Sequence, residues 1–156
     1  MSCVRFNAFA VIDRVRVLSR NCPLAVTETF GSGHKGKNGS NQVLYCLSRR
    51  GPDFDLIPWM KKRAIPLMAY SPLDQGGLLS KAPLKKLAAE VGCTPAQLAL
   101  AWLLALPGVV TIQKSSTRER VKENFGALDV KLSADVMAAL DKAFPPPKDK
   151  QSLQML

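Results

Sequence analysis

The chain has 156 residues, of which 47% are hydrophobic and 22% are charged, a composition typical of one globular domain. It contains no run of about 18 apolar residues, so the sequence predicts no membrane-spanning helix and no membrane partner. Charged residues interrupt the N-terminus too often for a signal peptide, and we expect a cytoplasmic protein.

The formal net charge of +10 raises the question of a nucleic-acid partner. Residues 1–40 carry six Lys or Arg against two acids, and the remaining residues carry sixteen against ten. Aromatic residues do not alternate with these charges, and no DNA- or RNA-binding module is recognisable. A solvated basic surface, or a local site for one phosphate, is the preferred interpretation, and we predict no nucleic-acid partner.

Residues 1–40 show no regular periodicity, so we predict an irregular or unrelated N-terminal segment. It ends in "GSGHKGKN", residues 31–38, which nearly matches a phosphate-binding P-loop. Asn38 stands where the motif needs Ser or Thr, and no helix pattern follows Lys37 to direct its N-terminus at a phosphate. A P-loop-like nucleotide site is therefore the less favoured alternative to a linker.

From Asn41 onward the pattern predicts alternating strands and helices. The order is strand, helix, strand, two helices, strand, two helices, with the strands in "NQVLYC", "IPLMAYSPL" and "VVTI". Short apolar strands separated by helices favour parallel pairing through right-handed crossovers. The sequence also predicts a helical face with Phe54, Ile57 and Trp59.

Helix boundaries are predicted from capping residues. Thr94 is expected as an N-cap before Pro95, and Ser133 as the N-cap of the last helix. A capping box is predicted from Ser116 to Glu119. The helix that follows it has an apolar stripe, which consists of Val121, Phe125 and Leu128.

Four segments of the chain, in order, carry a resemblance to a known family. They are "NQVLY", "AYSPLDQGGLL", "TPAQLALAWLL" and "IQKSSTRERVKENFGAL", of which the last is the most specific. Residues 41–156 thus resemble the C-terminal part of bacterial-type aldo/keto reductases. The resemblance implies an α/β fold, a partial TIM (β/α)8 barrel that corresponds to its last three βα units, with NADPH as cofactor and a small-molecule carbonyl substrate.

The resemblance also implies where the cofactor binds. Lys114, Ser115 and Arg120 would surround the adenosine 2'-phosphate, at a helix N-terminus that favours an anion. The remaining implied cofactor-binding residues are Glu123 and Asn124 at the adenine, Tyr70 and Gln42 at the nicotinamide, and Ser71 and Leu73 near the pyrophosphate.

Taken singly, these residues have ordinary structural interpretations. The charged residues after Ser115 are also typical of a solvated helix face, and Tyr70 of a core aromatic residue. The sequence departs from the family pattern at Gln113, where Pro is usual, and at Cys46, where relatives often carry His or Asn. The second departure leaves the substrate preference open.

The family's catalytic Asp, Tyr, Lys and His belong to the first half of the barrel, and no motif in this chain matches them. Neither Tyr45 nor His34 is assigned a catalytic role, so we predict no catalytic residue and no metal site. We expect a truncated, catalytically incomplete reductase fragment with an exposed barrel edge for self-association or a partner chain. A non-enzymatic NADPH-binding or subunit-interaction module is the alternative.

Overall fold

The computed structural model describes residues 39–155. The elements are β1 (Asn41–Leu44), α1 (Leu56–Lys61), β2 (Leu67–Tyr70), α2 (Ala82–Val91), α3 (Pro95–Ala105), β3 (Val109–Ile112), α4 (Arg118–Phe125) and α5 (Ala134–Ala143). Short 3-10 helices lie at Gly51–Asp53, Asp74–Ser80 and Gly126–Asp129. The predicted order of strands and helices is confirmed. The predictions for residues 1–38 fall outside the described part of the chain.

The three strands form one parallel sheet in the order β1-β2-β3. The register aligns Val43 with Ala69 and Ala69 with Thr111. Since aligned residues of parallel strands point to the same side of a sheet, these three side chains share one face. This covered face is buried, and Val43 and Ala69 belong to the same apolar cluster as the buried side chains of α3.

The opposite side of the sheet, here called the open face, carries Gln42, Leu44, Met68, Tyr70, Val110 and Ile112. Leu44 is buried, but Gln42 is exposed and Ile112 keeps 43% of its surface accessible. The described helices therefore cover one side of the sheet much better than the other. The buried core lies on the covered face, and part of the candidate site lies on the open face.

Helix α3 is the central element of the core. Its N-terminus is a capping box in which the Thr94 hydroxyl accepts from the Gln97 N–H and the Gln97 side chain accepts from the Thr94 N–H. Pro95 occupies the first turn, as predicted. Seven of the eleven residues are buried, so this helix packs on nearly all sides.

Helix α2 ends at a glycine. Gly92 adopts a left-handed conformation with φ of 78°, which glycine reaches without the steric penalty that a Cβ would bring. Its N–H donates to the carbonyls of Ala88 and Ala89, which closes the last turn. The Ser133 cap of α5 is also confirmed, since its hydroxyl accepts from the Val136 N–H.

One predicted detail of the helices is wrong. The N-cap of α4 is Thr117 rather than Ser116, because the helix begins at Arg118 and the Thr117 hydroxyl accepts from the Arg120 N–H. Val121 and Phe125 of the apolar stripe are 39% and 37% exposed.

The helical face predicted around α1 is likewise only partly correct. Ile57 is buried, whereas Phe54 and Trp59 are exposed. The guanidinium carbon of Arg63 lies 4.3 Å from the centroid of the Trp59 ring, so a cation covers this aromatic surface instead of the core.

Within residues 39–155 no single helix is long and apolar enough to cross a membrane. Helices α2 and α3 reach that length and composition only as a pair, across a bend of 84°.

Candidate functional site

The segment that joins β3 to α4 is built by local hydrogen bonds. The Asn124 side-chain amide donates to the Ser115 hydroxyl over 2.8 Å, which ties the last turn of α4 to the loop after β3. The Thr117 hydroxyl holds the first turn of the same helix through the Arg120 N–H at 3.4 Å. Asn124 is 8% exposed and is the buried residue of α4, so this helix is fixed by a polar contact.

Two cations flank this loop. The side chains of Lys114 and Arg120 are exposed, and within residues 39–155 neither forms a salt bridge. Helix α4 begins at Arg118, and the first N–H groups of a helix carry a partial positive charge. Unpaired cations, a hydroxyl at Ser115 and a helix N-terminus together make a site that suits a small anion such as a phosphate monoester.

The residues implied for the nicotinamide end lie on the open face. Gln42 on β1 aligns with Met68 of β2, two positions before Tyr70, so the Gln42 and Tyr70 side chains point to the same side of neighbouring strands. Tyr70 aligns with Ile112, the last residue of β3. Gln42 and Tyr70 therefore lie on one side of the sheet. The loop with Lys114 follows the end of β3 in the same sheet.

The chain after Tyr70 is conformationally strained. Ser71, Asp74 and Gln75 have φ values of 48°, 50° and 53°, which are uncommon for residues other than glycine. Such conformations cost on the order of 1–3 kcal/mol each and persist only where the surroundings hold them. A loop that keeps several of them at the end of a strand is typical of a ligand-binding segment.

Side chains from the loop after β1 hold this strained segment. The Asp74 carboxylate accepts a hydrogen bond from the Ser48 hydroxyl at 3.0 Å and pairs with the Arg49 guanidinium at 3.3 Å. The partly buried Leu73 side chain packs against the apolar core. The sequence analysis did not find the Asp74 contacts, because Ser48 and Asp74 are 26 residues apart.

A polar network on the covered side involves Tyr45. Its hydroxyl donates to Asp53 at 2.6 Å, and Arg50 pairs with Asp53 at 2.7 Å and with Asp141 at 2.6 Å. The Tyr45 and Trp102 ring centroids are 5.6 Å apart, and the Arg50 guanidinium carbon is 5.1 Å from the Trp102 centroid. This network connects the loop after β1 with α3 and α5.

The ionisation of these groups follows from burial and pairing. Desolvation, aided by the hydrogen bond to Asp53, raises the pKa of Tyr45 well above its ordinary value. Burial lowers the pKa of Arg50, but hydrogen bonds to Asp141 and Asp53 outweigh it and raise the pKa overall. Tyr45 therefore holds its proton tightly, whereas a proton-donating catalytic tyrosine needs a pKa close to the working pH.

Cys46, which stands where the family often has a polar residue, is buried at the end of β1. Burial raises the pKa of its thiol, and the Sγ atom lies 3.3 Å from the Ser48 hydroxyl oxygen. Among residues 39–155, no group of His, Cys, Asp and Glu side chains could hold a metal ion.

Comparisons with known proteins assign the family. The aldo/keto reductase family model matches residues 21–144. The chain belongs to the aldo/keto reductase family. The match begins before the predicted boundary at residue 41, so it includes residues 21–40, which the sequence motifs had not assigned.

Individual relatives agree with this aldo/keto reductase assignment. The chain is 43% identical over 122 residues to methylglyoxal reductase YeaE of Escherichia coli, which covers 75% of this chain and 43% of the relative. It is 48% identical over 73 residues to an aldo-keto reductase of Mycolicibacterium vanbaalenii, covering 47% of this chain and 26% of the relative.

A solved structure matches the fold as well. An aldo-keto reductase from Klebsiella pneumoniae in complex with NADPH superposes with a TM-score of 0.71 and 43% identity, over 75% of this chain and 43% of that protein. The observed parallel three-stranded sheet and its helices are therefore an α/β aldo/keto reductase fold. This aldo/keto reductase chain spans less than half the length of these relatives.

Proposed function

We propose that this chain binds NADPH and that the loop between β3 and α4 holds the adenosine 2'-phosphate. The observation that carries the proposal is the Asn124–Ser115 hydrogen bond at 2.8 Å, which fixes a hydroxyl in the segment that also carries the exposed cations Lys114 and Arg120. These groups match a dianion in charge and in donor chemistry. Glu123 and Asn124, on the same helix, are assigned to the adenine.

The nicotinamide is assigned to the open face. The half-buried Tyr70 ring offers a stacking surface, and the exposed Gln42 amide on the neighbouring strand offers both a donor and an acceptor. Ser71 and the backbone of Leu73 would contact the pyrophosphate from the strained segment that Asp74 holds. When bound, NADPH would supply the hydride; the residues named here bind and orient it.

By family, the reaction is the NADPH-dependent reduction of aldehydes or ketones, and the substrate is a small carbonyl compound. A relative described as a methylglyoxal reductase supports this substrate class. We propose that this chain alone is catalytically incomplete. Its two tyrosines are Tyr45 and Tyr70, and Tyr45 is committed to Asp53 with a raised pKa, so it does not serve as the proton donor.

We further propose that residues 41–156 are part of a (β/α)8 barrel, the last three βα units, and that a second polypeptide or a second copy completes it. Within residues 39–155, β1 and β3 each pair with β2 only, so each leaves one edge without a strand partner. Unpaired edges of parallel strands and the exposed Ile112 favour association. Sedimentation of the purified chain tests this: a monomer at every concentration would contradict it.

Two other functions are kept as alternatives. The first is a non-enzymatic NADPH-binding or subunit-interaction module, for which the same cofactor site is sufficient. The second is a P-loop-like nucleotide site at residues 31–38, which lies outside the described residues and has no structural observation in its favour. A cytoplasmic location stays a prediction.

A titration of the full chain with NADPH, NADH and ATP, followed by nucleotide fluorescence or calorimetry, tests the proposed function. We expect NADPH to bind more tightly than NADH, because only NADPH carries the 2'-phosphate, and the preference to weaken with added salt. The variant with Lys114→Met and Arg120→Ala together should lose this preference, since each charge-assisted contact is worth roughly 1.5–3 kcal/mol.

The variant Lys37→Ala is the matched control, because it removes one cation from the competing loop and none from the proposed site. It should bind NADPH like the unmodified chain. Equal affinity for NADPH and NADH would contradict the proposed site. Tight ATP binding that Lys37→Ala abolishes would support the P-loop alternative instead.

A further inference from the structure

Gln97 makes two hydrogen bonds with opposite ends of one side-chain amide. Its Oε1 atom accepts from the Thr94 N–H at 3.0 Å, which completes the cap of α3. Its Nε2 atom donates to the Glu123 carbonyl at 3.1 Å. That carbonyl is one of the last four of α4, which have no partner inside the helix. One side chain therefore joins the beginning of α3 to the end of α4.

Gly126 provides the space for this contact. A Cβ atom at Gly126 would lie 2.6 Å from Gln97 Nε2, which is too close for both groups to keep their positions. The backbone at Gly126 is right-handed helical with φ of −61°, which any residue can adopt. Glycine is needed here for the room it leaves to Gln97 and not for its conformational freedom.

Polar contacts hold α4 near both of its ends. Val121 and Phe125 are exposed, and the buried residue of α4 is Asn124. The contact from Gln97 to Glu123 lies directly beside Asn124, whose side chain reaches Ser115.

We propose that Gln97 is a positioning residue for the 2'-phosphate site: it anchors the last turn of α4 on the rigid core helix α3 and thereby sets the Asn124–Ser115 contact. This inference rests on the proposed function for the identity of the ligand. It places part of the specificity for the phosphorylated cofactor in a residue that does not touch the cofactor.

The test uses the full chain and two probes, adenosine 2',5'-bisphosphate and AMP, which differ in the 2'-phosphate. The ratio of their dissociation constants therefore measures how much the 2'-phosphate contributes to binding. We expect Gln97→Leu and Gly126→Ala each to reduce the preference for the bisphosphate by about tenfold, as loss of a charge-assisted contact would. Because both changes disrupt one contact, combining them should reduce the preference no further.

Thr94→Ala separates positioning from simple stabilisation. It removes the hydroxyl that caps α3, which lowers stability, but it leaves the Gln97 bond to Glu123 in place. We expect it to retain the ratio of the unmodified chain. Gln151→Leu is a surface control for the same change of residue type and should also retain it. An unchanged ratio in Gln97→Leu, or an equal loss in Thr94→Ala, would overturn the proposal.

Amide hydrogen exchange of residues 118–126 provides a second readout that needs no ligand. If the unmodified chain does not prefer the bisphosphate over AMP, the proposed cofactor site is wrong. Hydrogen exchange then still tests whether Gln97 anchors α4. Faster exchange in Gln97→Leu than in Thr94→Ala, confined to α4, supports the anchor. Equal exchange in the two variants refutes it.

Discussion

The two faces of the three-stranded sheet differ in how far their side chains are buried and paired within the protein. On the covered face, apolar residues pack under α3, and the neighbouring Tyr45, Asp53, Arg50 and Asp141 pair with one another. On the open face and at the end of β3, Gln42 and Lys114 are exposed. The difference indicates that one side of the molecule stabilises the fold and the other is available to a ligand.

The largest expected effect is the difference in unfolding free energy between two tryptophan substitutions. Trp102→Ala removes a ring that is 1% exposed and should lower the free energy of unfolding by about 3–5 kcal/mol. Trp59→Ala removes a ring that is 46% exposed and contacts Arg63, so it should cost less than about 1 kcal/mol. Urea denaturation followed by circular dichroism measures both. Similar losses would contradict the difference in burial between the two rings.

The two tyrosines should differ in the same way. Tyr45→Phe leaves the Asp53 carboxylate without one hydrogen bond and should cost roughly 1.5–3 kcal/mol, whereas Tyr70→Phe should leave stability nearly unchanged. Urea midpoints at neutral pH compare them.

Alkaline pH sharpens the comparison of the tyrosines. Because the pKa of Tyr45 is raised in the folded state, its stabilising contribution is complete below the ordinary value of 10.0 and is lost as the pH rises above it. We therefore expect the unfolding free energy to fall above that pH, and to fall less steeply in Tyr45→Phe. If the unfolding free energy falls with pH as steeply in Tyr45→Phe as in the unmodified chain, Tyr45 is not the titrating group.

The smallest effect concerns the cap of α4. Thr117→Ala removes the hydroxyl that accepts from Arg120 N–H and should cost about 0.5–1 kcal/mol, at the weak end for caps because the bond is 3.4 Å long. Ser116→Ala should cost nothing measurable. Thermal unfolding of the two variants decides which residue is the cap; a greater loss in Ser116→Ala would contradict the structure.

Sequence patterns predicted the order of elements because every strand is a short apolar run and α3 and α5 begin at strong capping residues. They failed at the start of α4, where two candidate capping residues are neighbours in the sequence. Ser116 has the capping-box spacing to Glu119, but the observed N-cap is the next residue, Thr117, whose hydroxyl accepts from the Arg120 N–H. Periodicity also indicated an apolar stripe with Val121 and Phe125, but it cannot say whether another element packs against that stripe.

The site was predicted unevenly for a similar reason. Ser115, Asn124 and their neighbours follow from the family motif, since they are close in sequence. The Asp74 contacts and the Gln97 anchor join residues about 25 positions apart, and no local pattern reports them. The spacing of Thr94 and Gln97 does fit a capping box, which would have indicated one half of the role of Gln97.

Hydrogen–deuterium exchange of the full chain with and without NADPH tests the central claim most directly. The account predicts added protection in residues 113–124 and 70–75, which form the candidate site, and no change in α3, which belongs to the covered side. Protection confined to residues 31–38, or no change anywhere at a saturating concentration of NADPH, would contradict it.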